Sequence, residues 1–238
     1  KKIPNIYKQF MDLQMLDISK EPMEVAPTAH YSMGGILVDK NSAVSSIQGL
    51  FAAGEVAGGV HGANRLGGNS LAEIIVFGKV SGHSAAMFSK NNKNKMNSPK
   101  AIRNAHKNID NLIKKGDQSS HKLQQELSNI MWENCGVIKD RVKLEKGLKE
   151  LKNIKAQSRK INLNLEKGNF QELFSTFDLL ASIYAAEASL LSSLKRQESR
   201  GAHQRNDFKN INYSENKNYI VELNNDELRI SSKKTQKL

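Results

Sequence analysis

Apolar residues recur at helical spacing through much of the chain. Positions 3, 6, 10, 13 and 16 are apolar and predict a first helix between Ile3 and Leu16. Beyond residue 100, similar stripes predict long helices over 101–115, 123–138, 142–161 and 170–194. Stripes about one face wide are typical of helices that pack together in a bundle. We therefore expect a helical bundle in the second half of the chain.

Shorter apolar runs bounded by turn residues predict strands. Residues 35–39 (GILVD) read as one strand, and residues 49–54 (GLFAAG) as a second, buried strand between glycines. Near the C-terminus, 219–223 and 227–230 flank the turn-forming residues 224–226 and predict a β-hairpin.

One more helix is expected after Asn69 and Ser70, which are both good N-cap residues. Its predicted packing face contains small and apolar residues that would let it lie close to a sheet, namely Leu71, Ile74, Ile75, Gly78 and Gly82. Glycine is concentrated in the same region, since 11 of the 16 glycines lie between residues 34 and 82. That density indicates tight turns and a backbone that approaches a ligand.

Composition and charge narrow the function classes. The 36 Lys and Arg residues and 24 Asp and Glu residues give a net charge of +12 over 238 residues. Residues 1–90 carry 8 basic and 7 acidic residues, so almost all of the excess lies in residues 91–238. A basic half can bind nucleic acid or anionic lipid, but the interleaved acids and few aromatics favour solvated helix faces. The single cysteine, Cys135, excludes an internal disulfide framework and a cysteine-rich metal site.

The candidate chemistry lies between residues 24 and 79. His30 follows a turn and precedes a glycine pair, and Arg65 lies just before the predicted helix N-terminus. The arginine fork suits a carboxylate, and the free N–H groups of a helix N-terminus favour negative charge. Glu55 ends the second predicted strand, where a carboxylate can accept bonds from sugar hydroxyls. Together these residues predict a glycine-framed site for an anionic or electron-rich ligand.

Five segments of the chain resemble one enzyme family. PTAHYSMGG, GLFAAGE, HGANRLGGNSL, MWENCGV and ESRGAH are similar, in this order, to segments of the succinate dehydrogenase and fumarate reductase flavoprotein subunits, a family that includes L-aspartate oxidase. The resemblance covers most of residues 20–208. HGANRLGGNSL is its most specific string.

The resemblance implies roles for five residues. His30 and Arg65 would bind the carboxylates of a four-carbon dicarboxylate, and Glu55 would contact the ribityl or sugar hydroxyls of FAD. Ser70 and Leu71 would lie at the flavin ring, where the helix dipole stabilises negative charge on the reduced ring. No metal ligand is implied. The family's proton-shuttling arginine is expected upstream of this chain, so no catalytic acid is assigned within it.

The resemblance also implies the organisation of the chain. No GxGxxG fingerprint follows the first predicted strand, and the family places that fingerprint upstream. We therefore expect this chain to be a C-terminal piece of a flavoprotein subunit, and its fold class to be α+β. Its expected parts are the end of a capping domain (1–20), the C-terminal segment of an FAD-binding α/β domain (21–90), a linker (91–99), a helical domain (100–208) and a tail with a hairpin (209–238). The chain is interpreted as a truncation, a split gene product or an incomplete record.

The function that the resemblance implies is succinate–fumarate interconversion by hydride transfer to or from FAD. Electrons would pass to an iron–sulfur subunit, and the protein would lie at the cytoplasmic, inner face of a membrane through partner subunits. Two alternatives stay open. L-Aspartate oxidase usually reads RxxSNSLLE where this chain reads RLGGNSLAE; Glu73 is shared, but Gly67 and Gly68 favour the succinate and fumarate branch. An isolated fragment could also be a non-catalytic interaction or assembly module.

Other conspicuous residues favour structural roles. Met131 and Trp132 are expected in the helical core, and Cys135 as a buried small residue, because no partner is spaced for a catalytic pair. His61 is expected to be structural. Arg200 and His203 of the ESRGAH segment are expected to brace the helical domain against the flavin domain.

Overall fold

The computed structural model describes residues 3–26, 28–92, 98–112, 116–163 and 170–235. The chain forms two compact units, residues 1–31 and 32–238. The first unit contains helix α1 (Pro4–Gln14), with proline in its first turn and Met15 in the left-handed conformation at its end. A proline is tolerated there because the N–H that it lacks has no partner within the helix. The first helix predicted from the sequence is confirmed.

The second unit begins with a long irregular segment, residues 32–68. Neither predicted strand forms: Ile36, Val38 and Phe51 each make only an isolated β-bridge, to Ala57, Ser45 and Val44. The expected strands over 35–39 and 49–54 are therefore wrong in extent. Gly35 and Gly49, at their starts, have positive φ and so lie outside the extended conformation that a strand requires.

Helix α2 (Asn69–Asn91) follows this segment. Its N-cap is Gly68, in the left-handed conformation, so the expected capping by Asn69 or Ser70 is wrong. The predicted packing face is also wrong, because Leu71 and Ile75 are 67% and 71% exposed and the buried residue that the structure shows in α2 is Glu73.

In the described ranges after α2, four further α-helices follow: α3 (Pro99–Leu112), α4 (Ser120–Cys135), α5 (Arg141–Ser158) and α6 (Phe170–Lys195). The predicted ends at 113–115, and most of the predicted linker, residues 93–97, lie outside the described residues.

Side-chain caps set where α4 and α5 begin. The side chains of Ser119 and Asp140 accept bonds from the backbone N–H groups of Lys122 and Lys143, which satisfies donors that the first turn leaves free. Helix α5 ends at Ser158, before its predicted end, because Ile161 instead pairs with Gln118 in a parallel bridge.

The core lies between α4, α5 and α6. It is built from aliphatic side chains that are at most 5% exposed: Leu123, Leu127, Leu144, Leu151, Ile154, Ile161, Leu179, Ile183, Ala186 and Leu190. Each leucine or isoleucine buried in this way stabilises the fold by about 1.5–3 kcal/mol. The expected helical bundle is confirmed, and Met131 packs at its edge. The expectation for Trp132 is wrong, since its side chain faces away from the core and is 65% exposed.

Helix α6 is long and apolar enough to cross a membrane by length and composition alone, since it has 26 residues and contains an 18-residue window with a mean hydropathy of 1.2, of which 22% is buried. A core helix of a folded domain passes the same test. Leu179, Ile183 and Leu190 of α6 are at most 2% exposed and lie in the core described above. These contacts place one face of α6 in the core of the bundle.

Short strands complete the second unit. β1 (Ile138–Lys139) pairs in parallel with β2 (Gln204–Arg205), and β3 (Lys217–Asn224) pairs antiparallel with β4 (Glu227–Lys234). The latter is the predicted hairpin, which is confirmed. Its two turn residues, Asn225 and Asp226, both have positive φ, as a type I′ hairpin turn requires.

Candidate functional site

Glu55 lies where the GLFAAGE segment passes over the first turns of α2. Gly54 has a φ of +82°, which strains residues with a side chain, and a Cβ on it would lie 3.2 Å from Cγ2 of Ile74, tighter than an ordinary contact. The Oε1 atom of Glu55 accepts a hydrogen bond of 2.8 Å from the backbone N–H of Ser32. This bond orients a carboxylate that is otherwise exposed to solvent.

The N-terminus of α2 presents donors to the same region. Gly68 offers no side-chain cap, and the N–H of Asn69 bonds Leu66 at 3.2 Å. The next N–H groups, of Ser70 and Leu71, belong to the positive end of a 23-residue helix. Ser70 is partly buried and Leu71 is exposed. The arrangement offers hydrogen-bond donors, a hydroxyl and an apolar side chain to a planar, electron-rich ligand.

Arg65 lies in the loop between the GLFAAGE segment and α2. It is partly buried, and its Nη1 donates a bond of 3.3 Å to the carbonyl of the adjacent Leu66. Its guanidinium carries a permanent charge and a planar set of donors that matches a carboxylate. The geometry is therefore compatible with the carboxylate-binding role expected for Arg65.

A histidine and a glutamate join this loop to α2. His61 Nε2 lies 2.7 Å from Oε2 of Glu73, and the two side chains are 9% and 1% exposed. The pair connects the beginning of the HGANR loop to the first two turns of the helix. The structural role expected for His61 agrees with this contact.

The ESRGAH segment also contacts this loop. The backbone N–H of Ala202 donates a bond of 3.0 Å to the carbonyl of Ala63, two residues before Arg65. Gly201 has a φ of +57°, and a Cβ on it would lie 2.3 Å from that carbonyl oxygen. Glycine is therefore required here both by conformation and by the close approach.

Buried charges hold the ESRGAH segment in place. Glu198 is fully buried and accepts bonds from Arg196 at 2.7 Å and, through both oxygens, from Arg200 at 2.9 Å. Burial alone would raise the pKa of Glu198, but these bonds and one from the N–H of Asn212 outweigh it and keep the pKa below its usual value. A carboxylate held between two arginines fixes the turn that follows.

Arg205 and His203 extend this network. Arg205 is 2% exposed, binds Asp207 through two bonds of 2.7 Å and donates to the carbonyl of Ser193 at the end of α6. Burial, with Lys139 nearby, lowers the pKa of His203 to about 4, so this side chain is neutral at pH 7. Its Nε2 lies 3.3 Å from the carbonyl of Arg196, which a neutral N–H can bond.

Four of the five predicted site residues lie at or near the start of α2, namely Glu55, Arg65, Ser70 and Leu71. Glu55 follows Gly54, which packs on Ile74, one turn after Ser70 and Leu71. Arg65 belongs to the loop that precedes them. His30 lies in the first unit and is exposed. The roles of all five residues stay predictions.

Sequence reasoning missed two contributors to the site. It used Glu73 only as a point of likeness to the oxidases, although an acid within the apolar start of a helix is itself a signal of a buried partner. It also missed the contact of Gly201 and Ala202 with Ala63, for which the glycine of ESRGAH was the available signal.

The expected flavin fits the residues that are present. A flavin ring needs an approach free of side chains. Apart from the adjacent residues in sequence, no described residue has an atom within 4 Å of a Cβ built on Gly67 or Gly68, just before α2. The donor set beside them, the N–H groups and hydroxyl at the start of α2 and the exposed carboxylate of Glu55, suits ring carbonyls and ribityl hydroxyls. Over the described ranges, no group of three or more His, Cys, Asp or Glu side chains is placed to hold a metal ion.

Two family models match the chain. Residues 1–71 match an FAD binding domain, and residues 124–236 match the C-terminal region of the fumarate reductase flavoprotein. The cofactor indicated by these matches is FAD.

Relatives agree with these models. An uncharacterized FAD-dependent oxidoreductase of Methanocaldococcus jannaschii is 39% identical over 87% of this chain and 37% of its own length. One polypeptide of the fumarate reductase (CoM/CoB) of Methanothermobacter marburgensis is 36% identical over the same shares of the two chains. This chain thus spans less than two-fifths of the length of these relatives.

A solved structure shows the same architecture. Mycobacterium smegmatis Sdh1, in complex with UQ1, superposes with a TM-score of 0.91 and 30% identity over 99% of this chain and 40% of that one. The superposition includes the helical bundle and the terminal hairpin, since nearly the whole chain is covered. The chain belongs to the succinate dehydrogenase and fumarate reductase flavoprotein family and corresponds to a C-terminal part of its members.

Proposed function

We propose that the whole protein containing this chain interconverts succinate and fumarate by hydride transfer to or from FAD. The observation that carries the proposal is the placement of Arg65 in a loop held both to α2, through His61 and Glu73, and to the ESRGAH turn, through Ala63. A family match over residues 1–71 and 124–236, and relatives named as fumarate reductase, support the same activity.

In this proposal, the chain's own residues bind and orient the two ligands. Arg65 binds one substrate carboxylate through its planar fork, and His30 binds a carboxylate by hydrogen bonding. Fixing both ends of a dicarboxylate orients its central carbons and converts an encounter into a nearly unimolecular step. Positive charge at the carboxylates also makes the central carbon–carbon double bond of fumarate a better hydride acceptor.

The start of α2 and Glu55 hold the cofactor. Bound FAD supplies the two-electron carrier that accepts or delivers the hydride. The N–H groups at Ser70 and Leu71 stabilise negative charge on the ring through the helix dipole, and Glu55 accepts bonds from the ribityl or sugar hydroxyls. Ser32 keeps the Glu55 carboxylate in place through the 2.8 Å bond described above. The proton-donating arginine belongs to the upstream part of the protein.

The proposal includes partners and location. Electrons pass to an iron–sulfur subunit. The single cysteine here cannot hold a four-cysteine cluster, so any such cluster lies outside this chain. The protein lies at the cytoplasmic, inner face of a membrane and is held there by partner subunits.

The domain organisation is part of the same proposal. The end of a capping domain occupies residues 1–20, the FAD-binding segment 21–90, the linker 91–99, the helical domain 100–208 and the tail 209–238. In this arrangement the ESRGAH segment braces the helical domain against the flavin segment. The bond between Ala202 and Ala63 supports that role, since Ala63 belongs to the flavin segment and Ala202 to the helical one.

Replacement of Arg65 tests the proposal. In the purified, flavin-loaded whole protein, Arg65→Lys should keep the flavin spectrum but lose most turnover with succinate and fumarate, because a point charge replaces a planar fork. Arg103→Lys is the matched control, since Arg103 is an exposed residue of α3 and should keep full turnover. L-Aspartate is assayed in parallel. Near-normal turnover of Arg65→Lys would remove Arg65 from the site, and oxidation of L-aspartate in place of succinate would replace the proposed substrate.

A further inference from the structure

Glu73 is a buried carboxylate in α2, a helix whose other residues are exposed or partly buried. Glu73 is 4% exposed, while its neighbours Leu71 and Ile75 are 67% and 71% exposed. Burying a carboxylate costs several kcal/mol unless it is paired and hydrogen-bonded. The partner at 2.7 Å is His61, whose side chain is also nearly buried. The buried residue of α2 therefore makes a polar contact with a loop and does not contribute to apolar packing.

The loop that Glu73 contacts is the one that carries Arg65. The segment from His61 to Gly68 contains Gly62, Gly67 and Gly68, so its backbone has few conformational restraints of its own. The His61–Glu73 contact ties the start of this segment to the helix that begins at its end, which closes the loop into a ring.

The contact between His61 and Glu73 fixes the position of the Arg65 loop relative to the start of α2. Glu73 lies three residues after Ser70 on α2, so the two side chains share one face of the helix. A contact from Glu73 to His61 therefore sets the Arg65 loop relative to the helix end at which the proposed function places the flavin. Hydride transfer needs such placement, since a misplacement of about 1 Å can lower a rate 100-fold.

We propose that Glu73 is a positioning residue, which holds His61 and thereby places Arg65 for dicarboxylate binding beside the flavin. Glu73 contacts neither substrate nor flavin in this role. The inference rests on the proposed function and adds to it a residue pair that determines the affinity for the dicarboxylate.

Variants of the pair test the inference in the flavin-loaded whole protein, with fumarate and succinate as the probes. Glu73→Asp keeps the charge but withdraws the carboxylate by about 1.5 Å, one carbon–carbon bond, and should break the contact with His61. It should raise KM at least threefold while the flavin content stays at one per chain. Glu73→Gln keeps the reach and an acceptor oxygen and should keep KM within twofold of the unaltered protein. Glu133→Gln, at an exposed position of α4, is the matched control and should change nothing.

A double-mutant cycle separates positioning from a general structural role. Glu73→Ala and His61→Ala should each raise KM about tenfold or more, and the double variant should be no worse than either one, because both remove the same contact. An unchanged KM in flavin-replete Glu73→Asp, or effects of the alanine variants that multiply, would overturn the inference. Absence of turnover in the unaltered protein would instead refute the proposed function, and with it the dicarboxylate role of the pair.

Discussion

Replacing Gly201 by alanine should damage the proposed substrate site from a distance. The new Cβ would lie 2.3 Å from the carbonyl oxygen of Ala63, whereas carbon and oxygen atoms ordinarily come no closer than about 3.3 Å. The Ala63 carbonyl must therefore move by about 1 Å, or the turn must open. Arg65 follows Ala63 by two residues and should move with it.

The energetic cost can be worked from the same geometry. Gly201 has a φ of +57°, and an alanine in the left-handed region costs about 1–2 kcal/mol. Loss of the 3.0 Å bond from Ala202 to Ala63 adds about 0.5–1.5 kcal/mol. We expect a total destabilisation of about 1.5–3.5 kcal/mol, small enough for most whole flavoproteins to stay folded.

The assay compares Gly201→Ala with the unaltered protein and with Gly82→Ala. Gly82 lies within α2, where an added Cβ has no described neighbour within 4 Å, so the same exchange there should be neutral or slightly stabilising. The kcat/KM for fumarate should fall about 100-fold in Gly201→Ala, through the misplacement of Arg65. A flavin-replete Gly201→Ala protein with kcat/KM within threefold of the unaltered protein would refute the reasoning that connects the ESRGAH turn to the site.

Two further predictions concern stability. The pKa of His203 is about 4 in the folded chain, against a usual 6.5, so the unfolded chain binds this proton first as the pH falls. The unfolding free energy should therefore be unaffected by this side chain above pH 6.5 and should fall by at most about 3 kcal/mol as the pH drops to 4. The dependence of Tm on pH should be weaker in His203→Gln. Asp226 accepts bonds from Tyr184 and, at 2.8 Å, from Arg159, and its bond raises the pKa of Tyr184 to about 12. Asn also suits the positive φ of the hairpin turn, so Asp226→Asn should bring the pKa of Tyr184 back toward 10 and lower the unfolding free energy by about 1 kcal/mol. An ultraviolet titration, with Tyr184→Phe as the reference that lacks this phenol, measures the pKa. An unchanged pKa of Tyr184 would contradict the contact.

The parts of the fold set by local patterns were predictable. Helices α4, α5 and α6 follow from their apolar spacing, and the terminal hairpin from the turn residues Asn225 and Asp226. Helix α5 ended earlier than predicted because Ile161 has a bridge partner, Gln118, that is distant in sequence. Local patterns thus located the elements, and contacts between distant residues set their ends.

The faces that helices bury were less predictable. In α6, leucines stand in adjacent pairs such as Leu179 and Leu180, so the spacing fits two faces equally well, and packing selected the one with Leu179. In α2, apolar residues are exposed and Glu73 is buried, because its partner is a histidine in the preceding loop. A polar pair of this kind leaves no periodic signal.

In the candidate site, too, the sequence indicated some residues and left the contacts between distant segments unpredicted. The motif strings single out Arg65, Glu55, Ser70 and Leu71, whose roles stay predictions. The side chains of Arg200 and His203, which were expected to brace the two segments, bond to Glu198, Asn212 and Arg196 instead. The contact with the flavin segment is made by the backbone between them, through the bond from Ala202 to Ala63. The fully buried Glu198, held by two arginines, could not be found from spacing, because each charge taken alone reads as a surface residue.

The central claim is that this chain forms part of a flavin-dependent succinate–fumarate oxidoreductase. Its most direct test is an anaerobic titration of the whole natural protein, with intact mass recorded alongside the visible spectrum. We predict a flavin spectrum that bleaches on addition of succinate, with one fumarate formed per flavin reduced, and that returns on addition of fumarate. A flavin that neither succinate reduces nor fumarate reoxidises, or a purified protein without flavin, would contradict the account.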